Sequence, residues 1–394
     1  MKNVLFVLEP LGTGKAWRCL AIAEQLKRLF PEVAPHFLAG PAAAALLRAG
    51  SKFPVEETLA AVLPDPSALR DESAADGSLA LAAARAARSL GPGHAREALR
   101  VARAIQAELV VVDGLFAAPP VLARGGFEVA FLADHLLDAS PETGAVRRGA
   151  ASLLRRSVVA SSRLRFFVGE PGYLASPELR VWSRRFFRYT GPISGLSRLD
   201  LRECATLRDD LGLSRRKLLV IAAGSAFAAP RFEAAIAGAD LLVGERAGGP
   251  PRADLFVKLF GGPELSVDDE RAGPAAELCR WLAIADAAIV PGGLSLLSEC
   301  AGLRVPTLAL PLPGHPLEQR QTDYFAERFG IRRLHGPATP AAIAEAASGL
   351  LANPEAHRPH EAPDAAAQRR NADFVADLLA ESLGRERPTL RAGA

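Results

Sequence analysis

The sequence predicts an α/β protein built from two doubly wound domains. Short apolar runs alternate with longer amphipathic segments almost from end to end, which is typical of a mainly parallel sheet covered by helices on both faces. This series of strands and helices starts again near Lys217. At 394 residues the chain exceeds one typical core, and its 49% of hydrophobic residues is ample for two.

In the first half, apolar runs predict strands at 3–8, 34–38, 109–112, 128–132 and 165–168. Helical periodicity and composition predict helices at 16–30, 78–90, 94–107 and 143–160. In the second half, strands are predicted at 218–222, 254–260, 287–290, 307–310 and 331–334. The corresponding helices are predicted at 231–239, 275–285, 294–301 and 318–329.

The predicted domains are residues 1–193 and 194–363, followed by a C-terminal helix and frayed tail at 364–394. The segment 191–195, Gly-Pro-Ile-Ser-Gly, is interpreted as the linker between the domains. Two such domains in tandem imply a cleft with ligands at the carboxyl ends of the strands.

Charge and composition narrow the function. The 47 basic and 44 acidic residues are interspersed, so a nucleic-acid partner is not expected. The four cysteines are widely separated, which suits a reducing cytoplasm, and Cys19, Cys279 and Cys300 are interpreted as small core residues. The N-terminal apolar run is interrupted by Glu9 and is interpreted as a strand rather than a signal peptide. No run reaches transmembrane length.

The first strand leads into a glycine loop, Gly12-Thr13-Gly14, followed by Lys15 and a helix. Glycines permit a tight turn, and the amides of the helix point at whatever binds there. The spacing is wrong for a Walker A loop, and Trp17 stands where a dinucleotide fingerprint has its third glycine. A loop that faces a ligand is favoured over a plain turn between strand and helix.

A second glycine cluster lies within 285–323. A buried strand ends at Pro291, the pair Gly292-Gly293 follows, and a helix starts directly afterwards. This arrangement suits a phosphate, because the glycines leave room and the start of the helix supplies free N–H groups. Ser295 adds a hydroxyl, and Glu299 lies one turn further on, where it can accept ribose hydroxyls.

The segment 285–323 resembles the C-terminal donor-binding domain of GT-B glycosyltransferases. It is most similar to the bacterial group that includes the lipid-II-forming N-acetylglucosaminyltransferase, and to the related UDP-glycosyltransferases. The resemblance implies a nucleotide site formed by Gly292, Gly293, Ser295 and Glu299. It implies that Glu318 and Gln319 hold the sugar and that the loop Gly224-Ser225 contacts phosphate. The loop 12–14 resembles part of the family's acceptor domain.

The chain departs from the family at three places. Pro291 stands where many relatives have a histidine, and Thr322-Asp323 replaces an Asn-Ala pair. Lys15 stands where relatives often have a histidine that acts as base. The run from Gly12 to Leu20 also resembles a nucleotide-sugar hydrolase of pseudaminic acid synthesis, whose catalytic histidine again falls at Lys15.

The resemblance implies an inverting transfer from a UDP- or dTDP-sugar to a small-molecule or lipid-linked acceptor. Such a reaction needs a base for the acceptor's proton. Three residues follow strands that face the predicted cleft: Asp113, Asp134 and His135. Lys15 is interpreted as an anion clamp, and His315 either touches the sugar or closes a loop. No metal or other cofactor is expected, since no DxD motif occurs.

Two alternatives remain open: a nucleotide-sugar hydrolase or epimerase on the same fold, or a binding partner that has lost catalysis. Arginines are also frequent in and after the predicted helix 143–160. They form either a solvated helix face, which is the more common case, or a patch for anionic lipid. Peripheral contact with the inner face of a membrane is therefore a further expectation.

Overall fold

A computed structural model describes residues 1–9, 13–58, 78–137, 145–174, 176–204, 206–223, 229–244, 254–261, 269–313, 315–360 and 362–384. Within these ranges, only the backbone of 78–90, 145–147, 229 and 316 is described. The candidate residues Gly12, Gly224 and Ser225 lie outside the described residues.

The first half of the chain forms a seven-stranded sheet in the order β3-β2-β1-β4-β5-β6-β7, and every neighbouring pair is parallel. The strands are β1 Lys2–Leu8, β2 Val33–Ala39, β3 Val55–Glu57, β4 Leu109–Asp113, β5 Glu128–Ala133, β6 Leu164–Phe167 and β7 Arg188–Tyr189. The central strands are buried along their length, since helices cover both faces.

The second half forms a five-stranded parallel sheet in the order β12-β11-β10-β8-β9. Its strands are β8 Lys217–Ala222, β9 Leu255–Phe260, β10 Ala287–Pro291, β11 Thr307–Leu310 and β12 Arg332–Arg333. In each sheet the strand order reverses once, between β1 and β4 and between β8 and β10. Ligands of open α/β sheets bind outside the carboxyl ends of the strands at such a point.

Helices of the first half are α1 Gly14–Leu29, α2 Pro41–Gly50, α3 Ser78–Ala104, α4 Ala118–Arg124, α5 Ala145–Ser161 and α6 Pro177–Phe186. Those of the second half are α7 Leu201–Cys204, α8 Leu207–Asp210, α9 Ala229–Val243, α10 Leu278–Ala283, α11 Leu294–Gly302, α12 Pro316–Phe329 and α13 Pro340–Ala352. The last described helix, α14 Ala365–Ser382, packs against α1. Its residues Val375 and Leu379 share one apolar cluster with α1, so the C-terminal helix completes the core of the first half.

The structure confirms the predicted fold class and the predicted strands, with small shifts at their ends. The two helices predicted at 78–90 and 94–107 are one helix, α3, which runs through Pro92. A proline removes one backbone hydrogen bond. The second part of α3 is nevertheless anchored by packing and by His94, whose Nε2 is 2.9 Å from the carbonyl oxygen of Leu8. The sequence analysis missed the short edge strands β3 and β7, because strands of two or three residues have too few positions to show a period.

Candidate functional site

A buried ion-pair network lies at the carboxyl end of the first sheet. Arg18, in the second turn of α1, donates from Nε to Oδ2 of Asp113 at 2.8 Å and from Nη2 to Oδ1 at 2.5 Å. Both residues are almost fully buried, at 1% and 0% exposure. The remaining nitrogen, Nη1, donates to Oδ2 of Asp134 at 3.3 Å. Arg18 therefore joins the carboxyl ends of β4 and β5 through their acidic side chains.

Asp134 also holds the neighbouring histidine. Its Oδ1 lies 2.7 Å from Nδ1 of His135, and the Phe116 ring packs beside the imidazole. Burial alone would raise the pKa of Asp134, but the cations of Lys15 and Arg18 and the bond to His135 hold it well below its usual value. Since an ionised carboxylate only accepts, Nδ1 carries the proton, and Nε2 is the nitrogen with a free lone pair.

The loop between β1 and α1 approaches the second half of the molecule. Lys15 pairs with Glu9 at the end of β1. A side chain at Gly14 would meet the hydroxyl of Ser295, since an added Cβ would lie 2.7 Å from its Oγ. Thr13 is the residue before α1 and makes no side-chain cap. The two glycine turns singled out in the sequence therefore face each other across the cleft.

The second glycine turn begins α11. Gly292 packs tightly on α12: an added Cβ would lie 2.5 Å from Oγ1 of Thr322 and 2.9 Å from the carbonyl oxygen of Glu318. Among the described residues, an added Cβ at Gly293 would meet no atom within 4 Å. Gly293 is the N-cap of α11, and no side chain caps the helix. The first N–H groups of a helix have no partner within the helix, so the start of α11 is suited to binding an anion.

Glu299 lies on α11 but is buried at the junction between the two halves. Its Oε1 accepts a hydrogen bond from the backbone N–H of Gly195, at 3.0 Å, and its exposure is 2%. Burial raises the pKa of Glu299 to about 7, although the bonds from Gly195, Cys279 and Ser194 act in the opposite direction. In this structure the carboxylate therefore binds the segment that links the two halves.

The loop after β11 places the other polar candidates. His315 is the N-cap of α12, and its Nδ1 accepts the backbone N–H of Glu318 at 3.2 Å. Glu318 Oε2 accepts the N–H of Leu312 at 3.0 Å, and Gln319 Nε2 donates to the carbonyl oxygen of Leu312 at 3.2 Å. Burial lowers the pKa of His315, Glu318 opposes this, and the nearby His135 and Arg231 lower it further. His315 therefore lies near His135 on the opposite side of the cleft.

The structure brings most of the candidate residues to one cleft. Lys15, Asp134 and His135 lie on one side, and Gly293, Ser295, His315 and Glu318 lie on the other. Asp113 belongs to the same network but is enclosed by Arg18, and Glu299 lies deeper, at the linker. Among the described residues, no group of three or more His, Cys, Asp or Glu side chains is arranged to hold a metal ion.

Sequence analysis missed two arginines of this region, Arg18 and Arg231. Arg18 stands between Ala16-Trp17 and the apolar run 19–23, where a cation needs a buried partner, and that contrast was an available signal. Arg231 is also buried, at 8% exposure, and lies in the first turn of α9 near Glu318. Its sequence context gave no comparable signal.

The arginines of α5 and α6 differ in their environment: some pack against the protein, and others are exposed. Arg155 donates from Nη1 to the carbonyl oxygens of Leu136 and Leu137 and lies over the Trp182 ring, so it contributes to packing. Exposed Leu153 and Val181 lie on these helices together with the exposed side chains of Arg156, Arg184 and Arg185. None of the helices in the described part of the chain is both long and apolar enough to cross a membrane.

Two Rossmann-like parallel sheets, with the last helix packed back on the first half, make this a protein of the GT-B fold. No protein-family model matches the sequence, and no curated protein sequence matches it either.

Solved structures are similar to this protein. At their low sequence identity, the similarity shows the fold alone. UDP-GlcNAc 2-epimerase from Neisseria meningitidis, bound to UDP-GlcNAc, superposes with a TM-score of 0.57 at 11% identity, over 98% of this chain and 100% of that one. The glycosyltransferase SsfS6 from Streptomyces sp. SF2575 gives 0.56 at 16%, over 96% and 99%. MurG from Acinetobacter baumannii gives 0.51 at 13%, over 97% and 100%.

Proposed function

We propose that this protein is an inverting, metal-independent glycosyltransferase that uses a UDP- or dTDP-sugar as donor. The observation that carries the proposal is the Asp134–His135 pair at the carboxyl end of the first sheet, the same end at which Gly14 meets Ser295 of α11. Glycosyltransferases and a UDP-GlcNAc epimerase are among the solved structures that share the fold over nearly the whole chain, which supports a nucleotide-sugar substrate.

In this proposal the donor's diphosphate binds at the start of α11. The N–H groups of the first turn and the hydroxyl of Ser295 donate to it, and the open space at Gly293 admits it. Glu318 and Gln319 form hydrogen bonds to the sugar. In this structure each side chain also makes one hydrogen bond to the backbone of Leu312. Glu299 binds the ribose once its carboxylate exchanges the Gly195 amide for the sugar hydroxyls.

His135 acts as the general base. Its Nε2 accepts the proton of the acceptor hydroxyl as that oxygen attacks the anomeric carbon, while Asp134 stabilises the resulting imidazolium through Nδ1–H. Asp113 is less suited to this role, because both of its oxygens are bound by Arg18. Lys15 acts as a cation beside the site and favours the ionised form of Asp134.

His315 acts as a hydrogen-bond donor on the opposite side. Because its Nδ1 accepts the N–H of Glu318, its proton resides on Nε2. The cap and the lowered pKa both favour the neutral ring, which can donate from Nε2 to the departing diphosphate or to a sugar hydroxyl. A base on one side of the cleft and a donor on the other match the two ends of a displacement reaction.

The first test is a thermal-shift screen with UDP-, dTDP- and GDP-sugars, because a ligand that binds the folded state raises its melting temperature. We expect stabilisation by a UDP- or dTDP-sugar. If no nucleotide sugar shifts the transition, a donor site of this kind is not present. Turnover is then measured by nucleotide release with and without a panel of hydroxyl acceptors.

A second candidate, a nucleotide-sugar epimerase or hydrolase, is favoured by one observation. One carboxylate that was not among the candidate residues, Glu9, pairs with Lys15, the cation that also acts on Asp134. Release of free sugar without an acceptor indicates hydrolysis. Incorporation of deuterium at a sugar carbon from heavy water indicates epimerisation. Binding with no turnover on any acceptor indicates a partner protein without catalysis.

A further inference from the structure

Arg231 occupies the point where the strand order of the second sheet reverses. It lies in the first turn of α9, and it lines a small pocket together with Ala223 after β8, Pro291 at the end of β10 and Leu310 at the end of β11. Its Nη1 donates to the carbonyl oxygen of Leu310. Pro291 directly precedes the glycine turn that begins α11, so the guanidinium and the start of α11 share one edge of the sheet.

The charge of Arg231 is poorly compensated. Within the described residues, Nη2 is buried and has no hydrogen-bond partner. Glu318, the carboxylate that pairs with Arg231, lies 3.9 Å from Nη1, and its oxygen accepts the N–H of Leu312 instead. Burial lowers the pKa of Arg231 to about 10, and Glu318 only partly opposes this.

Arg18 shows that this chain can supply partners to a buried guanidinium. There, two carboxylates accept hydrogen bonds from three nitrogens at 2.5 to 3.3 Å. Arg231, by contrast, has one carbonyl oxygen as a hydrogen-bond acceptor, that of Leu310, and one carboxylate 3.9 Å away, that of Glu318. A buried cation with an unused N–H is costly to folding, and such groups are found where a ligand supplies the missing partner.

We infer that Arg231 binds the diphosphate of the nucleotide-sugar donor, with its free Nη2 directed to a phosphoryl oxygen. This inference rests on the proposed function and names the cation of the donor site. A guanidinium suits the task because its N–H groups can donate to two phosphoryl oxygens at once. The start of α11 supplies backbone N–H groups from one side and Arg231 supplies the full charge from another.

The test compares three ligands, UDP, uridine and inorganic diphosphate, by titration calorimetry. Arg231→Met is expected to weaken UDP and diphosphate binding about tenfold or more and to leave uridine binding unchanged, since only the phosphates lose a contact. Arg231→Lys should retain part of the UDP affinity, because lysine keeps the positive charge but lacks the planar set of N–H donors of the guanidinium. The melting temperature of unliganded Arg231→Met should not fall, because the removed group is incompletely paired.

Arg208→Met is the matched control. Arg208 lies on α8, near the amino ends of the strands of the same sheet. There it donates to Asp286 at 2.7 Å and to the carbonyl oxygen of Ile284 at 2.8 Å. This variant should bind UDP and diphosphate as the wild type does. Unchanged UDP and diphosphate affinity in both Arg231 variants, or an equal loss for uridine, overturns the inference. If the wild type binds none of UDP, dTDP and diphosphate, the proposed function fails with it, whereas undiminished binding of UDP by all variants removes Arg231 alone.

Discussion

The guanidinium of Arg18 and the carboxylate of Asp113 form a two-point ion pair in the core of the first sheet, between residues 95 positions apart in sequence. Burial would lower the pKa of Arg18, but Asp113 and Asp134 raise it, so the arginine stays charged. Because Nη1 of Arg18 donates to Asp134, the ion pair also holds the carboxylate that orients His135. A structural ion pair therefore positions the proposed base.

The first prediction concerns this pair. Arg18→Met and Asp113→Asn should each lower the free energy of unfolding by about 3–5 kcal/mol, because each leaves a buried polar group without its partner. The double variant Arg18→Met/Asp113→Asn should cost less than the sum of the two single changes. Urea denaturation measures all three. Strictly additive losses would show that the two side chains do not interact as the structure describes.

The second prediction concerns the proposed base. His135→Gln and Asp134→Asn should each reduce kcat by about 10²–10⁴-fold, since proton removal from the acceptor loses its base or the carboxylate that orients it. Donor affinity, measured by calorimetry, should change little. His36→Gln is the control, because His36 lies on β2 outside the cleft cluster. Normal turnover in both cleft variants would assign the base to another residue.

The third prediction separates capping from chemistry at His315. Asparagine is among the best N-cap residues, so His315→Asn should retain the start of α12 and change the melting temperature little. It removes the Nε2–H donor, and we expect kcat to fall about tenfold or more. His315→Ala loses both the cap and the donor. If His315→Asn turns over at the wild-type rate, the histidine serves only as a cap.

The fourth prediction is a pH dependence of stability at Glu299. Its pKa is about 7 in the folded state against an ordinary 4.5, so between these values the folded protein holds a proton that the unfolded chain releases. Stability relative to Glu299→Gln is therefore full below about pH 4.5 and falls as pH rises through 7. The change amounts to about 3 kcal/mol. Denaturation curves of the two proteins that run parallel across this window would contradict the assignment.

The fifth prediction distinguishes two neighbouring arginines of α5. Arg155→Ala should lower the free energy of unfolding by about 1–3 kcal/mol, because it frees the carbonyl oxygens of Leu136 and Leu137 and removes the contact with Trp182. Arg156 is exposed, and Arg156→Ala should stay within about 0.5 kcal/mol of the wild type. Equal effects in chemical denaturation would mean that Arg155 does not pack as described.

Both glycine turns were predictable from the sequence because the requirement for them is local. A buried strand that passes through glycine directly into a helix leaves free N–H groups at the start of the helix, which is suited to an anion. The mutual approach of Gly14 and Ser295 was not predictable, since it depends on how the two sheets pack together. The same holds for Glu299, which the helical spacing placed near a ribose, whereas the structure places its carboxylate against Gly195 of the linker.

By itself, the sequence determined the α/β class, the two series of parallel strands and the strand ends that carry the candidate site residues. These follow from apolar periodicity and turn chemistry, which act over a few residues. Only the tertiary structure decided which polar groups share the cleft and which form ion pairs with one another. Asp113 and Asp134 are equivalent in the sequence, each at the end of a strand. They differ because Arg18, 95 and 116 residues away, takes both oxygens of one and leaves the other free to hold His135.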